Sequence, residues 1–263
     1  MPSQKGFSLL LVVLATIILI ATGITIFNLF IKNSTFYTTV LLSKEEKLKN
    51  KPTLYNLGVN FDKFDPSSGK AGDFLFTREK IFEDRLFLEF GYVVKNGQVQ
   101  KVLPHPTYFL PQGTKIIAIS PGKVLGLRSQ KDSNDYELLV QPKDAPGWRI
   151  AYDHLENVRF KKGDTVKTGD IVGEVTAGYN SGSGNFTMTE ITVFIEGTKP
   201  EDIENYCPYM LLENSVKDQY AQKILQFAKD WEEYTDNPAM YDEKSWVFPG
   251  CRYEKLNETN TMK

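Results

Sequence analysis

Apolar residues run from Phe7 to Ile31 without one charge, then give way to short alternating segments and finally, near the C-terminus, to a helical period. At about 1.5 Å per residue the first run covers a hydrocarbon layer of roughly 30 Å, so residues 1–32 are expected to form a transmembrane anchor. It is too long for the apolar region of a cleaved signal, usually about 7 to 15 residues. Residues 33–60 are polar and Lys-rich, with a short helix expected around Lys44 to Lys49, and read as a stalk. The stretch from Phe61 to Asp73 is dense in turn formers, and its aspartates lack the alternating spacing of a calcium loop. From Leu86 onward, strands are expected over Leu86–Val94, Lys115–Ile119, Lys123–Arg128, Tyr136–Gln141, Arg149–His154, Ile171–Thr176 and Met188–Ile195. Their shortness and Gly/Pro/Asn/Asp punctuation predict a mainly β, antiparallel domain over 61–200. Val216, Tyr220, Ile224, Leu225, Phe227 and Trp231 then predict an amphipathic helix within a C-terminal extension, 201–263.

Composition narrows the function. A net charge of −2 and 24% charged residues leave no basic excess for nucleic acid. No Gly-x-Ser-x-Gly elbow or phosphate-binding glycine loop is present. The only cysteines are Cys207 and Cys251. A disulfide between them would close a loop of about 45 residues and stabilise the fold by about 4 kcal/mol in the chain-entropy treatment; two unpaired buried cysteines are the other reading.

Three segments in order carry a resemblance. Gly113-Thr114-Lys115-Ile116-Ile117-Ala118 leads into Pro121-Gly122-Lys123-Val124; Tyr152-Asp153-His154-Leu155 follows; and Gly163-Asp164-Thr165-Val166 with Gly169-Asp170-Ile171-Val172-Gly173 closes the set. Together they resemble the lysostaphin-type (LytM-like) zinc metallopeptidases, whose domain is a duplicated hybrid motif, an antiparallel barrel-sandwich hybrid. The likeness spans about residues 100 to 197. Gly-Asp-x-Val-x-x-Gly alone also occurs in biotinyl and lipoyl carriers, but Lys123 and Lys143 lack the hairpin setting of a modified lysine.

The resemblance implies three zinc ligands, a histidine, an aspartate four residues later, and a histidine from a final His-x-His motif, with an open position for water. Aligned without gaps on Pro111 and Gly113, the first two positions are Leu103 and Thr107; shifting by two residues recruits His105 but puts Phe109 at the aspartate. The final motif is matched to Thr192-Val193-Phe194-Ile195-Glu196, without histidines. His154 stands where the resemblance places a catalytic histidine and reads as vestigial. No metal is expected; if one binds, His105 and Glu190 are the candidates, and zinc is the ion. Tyr108, Phe109, Tyr152, Thr192 and Phe194 are expected to line a groove that holds ligand by stacking and apolar contact.

Gln4-Lys5-Gly6-Phe7-Ser8 is similar to a prepilin start, with Leu11 where that family has glutamate. Lys44, Lys47, Lys49 and Lys51 after the apolar run outnumber Lys5 before it, which favours a cytoplasmic domain by charge. The short N-terminal tail, the cysteine pair and the cell-wall resemblance favour the reverse: N-terminus cytoplasmic, C-terminal domain extracytoplasmic. The expected protein is a single-span, non-catalytic, peptidase-like domain that binds cell-wall glycan or peptide, or a protein partner. The alternatives are an active zinc metalloendopeptidase using His105, His154 and Glu190, and a pilin-like or structural surface protein.

Overall fold

Period-two burial in the longest strand, Phe186–Ile195, organises the molecule: Thr187, Thr189, Ile191, Val193 and Ile195 point inward, while Met188, Glu190, Thr192 and Phe194 point to the other face and are half-buried. The computed structural model describes residues 42–79, 81–96, 99–177 and 186–257. Eleven strands make one antiparallel sheet: β1 (Phe87–Leu88), β2 (Thr107–Pro111), β3 (Lys115–Ile117), β4 (Gly122–Gln130), β5 (Asp135–Pro142), β6 (Trp148–Glu156), β7 (Thr165–Val166), β8 (Ile171–Val175), β9 (Phe186–Ile195), β10 (Glu204–Tyr206) and β11 (Lys255–Asn257). The main order is β7-β4-β5-β6-β9-β10-β11; β2 pairs with β9 and β1, and β8 bridges β6 and β3. The mainly β expectation holds, and each expected strand from Lys115 onward overlaps an observed one. Leu86–Val94 divides between β1 and a separate hairpin, Val93–Asn96 with Val99–Val102.

The anchor and the prepilin-like start lie outside the described residues. Among the described residues no helix is long and apolar enough to cross a membrane. Residues 44–263 form one unit.

One segment read as a stalk is part of the core, and the C-terminal helix packs onto that core. Leu54, Leu57 and Val59, placed in the stalk by their polar neighbours, are at most 4% exposed. They are held by Leu54 N–H to the Leu211 carbonyl at 3.0 Å and Tyr55 N–H to the Ile119 carbonyl at 2.8 Å. The C-terminal helix α2 (Asn214–Thr235), which follows the short helix α1 (Lys44–Lys49), buries Ile224, Phe227, Ala228 and Trp231. That i, i+3, i+4, i+7 stripe is the apolar face the sequence shows. Phe227 lies 4.6 Å from Phe74, 5.0 Å from Phe61 and 5.9 Å from Phe87, centroid to centroid. The helix therefore completes the aromatic core.

Cys207 and Cys251 form a disulfide with Cα atoms 6.0 Å apart across 44 residues. Next to it Glu89 is fully buried, accepting from Arg85 at 3.3 Å, Arg252 at 3.1 Å and the Trp246 indole at 3.3 Å. Both guanidinium groups lie over the Tyr92 ring. Burial of the Glu89 and Arg85 charges is sustained by pairing, with the half-buried Arg252 as a second partner, and by the ring face.

Candidate functional site

The face of the sheet shared by Glu190, Thr192 and Phe194 carries the polar chemistry. Register sets its order: Glu190 of β9 faces Asp153 of β6 on one side and Thr107 of β2 on the other. Beyond Asp153 comes Glu137 of β5, paired with Arg128 of β4 at 2.9 Å. Three carboxylates thus occupy adjacent strands, with a guanidinium at one end and the His105 imidazole at the other.

His154 sits at a bulge, where the β5–β6 register shifts between Tyr152 and Leu155. Its φ is 59°, a left-handed conformation that costs an L-residue about 1–2 kcal/mol. The local bonds that hold it are its own N–H to Asp153 Oδ1 at 2.8 Å, Thr189 Oγ1 to the Asp153 carbonyl at 2.7 Å, and Thr176 N–H to the His154 carbonyl at 3.1 Å. Its Nδ1 lies 2.7 Å from Asp135 Oδ2, whose other oxygen accepts from Ser133 Oγ at 2.7 Å. Asp135 is 1% exposed, so this carboxylate fixes the ring rather than solvating itself. The Gln130 amide reaches Asp153 from β4.

His105 enters from the loop before β2. Its Nε2 is 3.2 Å from Glu190 Oε2 and its Nδ1 is 3.3 Å from Thr107 Oγ1, which is itself 3.3 Å from Glu190 Oε1. Burial pushes its pKa below the ordinary value of 6.5, against the opposing pull of Glu190. The neutral ring therefore donates from Nε2 to the carboxylate, a tautomer assigned from the network, and the single Thr107 hydroxyl proton is shared between Glu190 Oε1 and His105 Nδ1. Burial also raises the Asp153 carboxyl, with the His154 and backbone contacts opposing, and raises Glu137, with Asp153 adding to the effect. For both groups a neighbouring carboxylate on the same sheet face adds to the effect of burial.

These residues do not fit the zinc set that the resemblance implies. Leu103, 6% exposed, has no donor atom, and Thr107 offers a hydroxyl that is already engaged. His105 Nε2 is engaged by Glu190 and its Nδ1 lies 3.3 Å from the Thr107 hydroxyl, so ligating a cation through Nε2 would break the contact to Glu190. Among the described residues a different trio, Asp135, Asp153 and His154, has its ligand atoms within 4.8 Å of one another. It is richer in carboxylate and borrows Asp135 from the bond that orients His154.

The expected groove residues are differently placed. Tyr108 and Tyr152 are fully buried: one hydroxyl meets Tyr209 Oη at 2.8 Å, the other accepts from Ile119 N–H at 2.9 Å. Both belong to the inward set of their strands, which removes them from any surface. Phe109, on the opposite set of β2, is covered by Phe82 at 6.0 Å. Thr192 and Phe194 share the face of Glu190 but stand opposite Ala151 and Arg149, about 7 and 13 Å farther along the strand at roughly 3.3 Å per residue. The β9 residue opposite both Thr107 and Asp153 is Glu190, two positions before the motif aligned by sequence, and Met188, two before that, stands opposite Phe109. Asp135, Glu137 and Gln130 were not singled out in the sequence; they lie in ordinary charged strand and turn contexts.

The profile of Peptidase family M23 matches residues 107–193, from the start of β2 to near the end of β9. Cell division protein DipM of Caulobacter vibrioides is 32% identical over 94 residues, 35% of this chain. The match spans 15% of that protein's length. Among solved structures, the catalytic domain of the prophage-encoded M23 protein EnpA from Enterococcus faecalis is 27% identical, covering 41% of this chain and 81% of that one, with a TM-score of 0.33. The catalytic domain of lysostaphin from Staphylococcus simulans is 17% identical over 62% of this chain and 93% of that one, also with a TM-score of 0.33. Residues 107–193 are thus similar to Peptidase family M23, and the histidine-bearing bulge and the carboxylate row lie inside that stretch.

Proposed function

We propose that this chain is a membrane-anchored, non-catalytic M23-type domain that binds cell-envelope material or scaffolds an envelope partner. The observation that carries this reading is the closed set His105–Thr107–Glu190: where β2 and β9 meet, the groups that could ligate zinc are satisfied by one another. Met188 on the adjacent outward position of β9 supplies neither ligand nor acid/base group. The apolar run Phe7–Ile31 supports the anchor, and the Cys207–Cys251 disulfide supports an extracytoplasmic, oxidising location. The likeness to a cell division protein supports an envelope role. The occupant of the domain is then wall glycan or peptide, or a protein partner.

The test is zinc analysis of the purified chain after reconstitution, alongside incubation with peptidoglycan peptides. No stoichiometric zinc and no cleavage is the expected result; stoichiometric zinc lost on His105→Ala, or metal-dependent cleavage, would overturn it. The second reading, a zinc metalloendopeptidase with unorthodox ligands, is favoured by the Asp135–Asp153–His154 trio. It requires zinc lost on Asp153→Asn and retained on His105→Ala. Mass spectrometry of the native N-terminus addresses the pilin-like alternative, which requires processing after Gly6.

A further inference from the structure

Away from the carboxylate row, three turns meet around a cavity of about 80 Å³: the segment after α1, the turn between β3 and β4, and the turn after β5. Its charged lining consists of Lys51, Lys143 and Asp144, and Thr53 and Tyr55 add hydroxyls. We propose that this cavity binds a phosphate group, as a phosphomonoester or phosphodiester.

Three observations converge on that ligand. The cavity carries two ammonium groups against one carboxylate, and among the described residues neither lysine has a carboxylate within 4.0 Å. Elsewhere on this surface lysines do find partners, such as Lys223 with Asp62 at 2.8 Å and Lys44 with Glu204 at 2.8 Å. The walls are preorganised: Pro52, Pro121 and Pro142 each fix φ. Ser120 Oγ donates to the Thr53 carbonyl at 2.9 Å, and Lys143 N–H to the Pro121 carbonyl at 2.9 Å, tying the turns together. The size suits one small polyatomic anion and is too small for a sugar ring with its substituents. Two lysines and two hydroxyl-bearing residues among the lining residues offer more donors than the two oxygens of a carboxylate use, which selects a tetrahedral oxyanion. The site is separate from the His105 and His154 centre, so it stands whether or not that centre binds metal.

The experiment is titration of the full chain in nonionic detergent with inorganic phosphate, followed by ³¹P NMR. Parallel arms use glycerophosphodiester, and vesicles of phosphatidylglycerol or phosphatidylcholine. Saturable phosphate binding below about 10 mM is expected, weakened about tenfold in Lys51→Ala/Lys143→Ala and tightened about twofold in Asp144→Asn. These side chains lie at the surface, so the variants are expected to melt as the parent does. Preference for the glycerophosphodiester over phosphatidylglycerol vesicles identifies a soluble or polymeric source, and the reverse a lipid headgroup; either outcome supports the site. Binding unchanged in the double lysine variant, absence of saturable binding, or equal affinity for acetate would overturn it.

Discussion

Removing the His105 ring tests whether the closed set at β2 and β9 is an interaction or a coincidence of packing. The contact joins a neutral imidazole N–H to a carboxylate whose side chain is 15% exposed. Hydrogen bonds to charged groups contribute about 1.5–3 kcal/mol. At 3.2 Å, near the long end of the range, and with part of the carboxylate reaching water, about 1–2 kcal/mol is expected. The measurement is a double-mutant cycle by denaturant unfolding, with His105→Ala, Glu190→Ala and the pair; the coupling energy should fall in that window.

The pH dependence gives an independent reading with a definite sign. His105 has a folded-state pKa below its unfolded value of 6.5. The unfolded chain therefore binds more protons between the two values, and stability rises with pH across that interval. The contribution is complete above the unfolded pKa and is lost as pH falls through the folded one. Subtracting a His105→Gln titration from the parent cancels the opposite trends of Asp153 and Glu137, whose raised carboxyls favour the folded state at low pH and lose that contribution as pH rises through their folded values. The difference should shrink as pH falls from about 8 to about 5. A coupling below about 0.3 kcal/mol, within additivity error, together with a pH-independent difference, would refute the closed set.

Other perturbations report on the frame that positions the site. Phe227→Ala empties the junction of four aromatic rings at a fully buried position and should cost about 3–5 kcal/mol, read from the unfolding midpoint; a loss under about 1 kcal/mol would mean that α2 is a detachable appendage. Cys207→Ser/Cys251→Ser should lower stability by up to about 4 kcal/mol, and a reducing agent should shift the parent but not the variant. Glu89→Gln leaves the Arg85 and Arg252 guanidinium groups without their shared buried anion and should cost about 3–5 kcal/mol in the same assay.

Legibility in the sequence followed the range of the interaction. The apolar stripe of α2 is a local period, visible as Ile224, Phe227 and Trp231, and the helix formed as read. Alternation along residues 188–195 predicts a strand with Glu190, Thr192 and Phe194 on one face, and the strand has that face. The bulge strand was legible through Tyr152-Asp153-His154-Leu155, because Tyr and Leu anchor it in the core on either side of the exception. Period alone does not say which residue of one strand lies opposite which residue of another. A slide of two residues preserves every inward and outward assignment, so the sequence could not separate Thr192 from Glu190 as the neighbour of Thr107. Nor could it tell that Tyr108 and Tyr152, aromatic and near the site in sequence, point away from it.

By itself, then, the chain determined most of its longer strands, its C-terminal helix, the segment that carries His154 and the absence of a His-x-His pair, since each depends on residue types and short-range periods. Only the tertiary structure decided that His105 reaches from its loop to Glu190, that Asp135 from a neighbouring strand orients His154, and that Leu54 to Val59 belong to the core. Those are contacts between segments far apart in sequence, fixed by sheet register and by loop closure. No pattern within either partner encodes them.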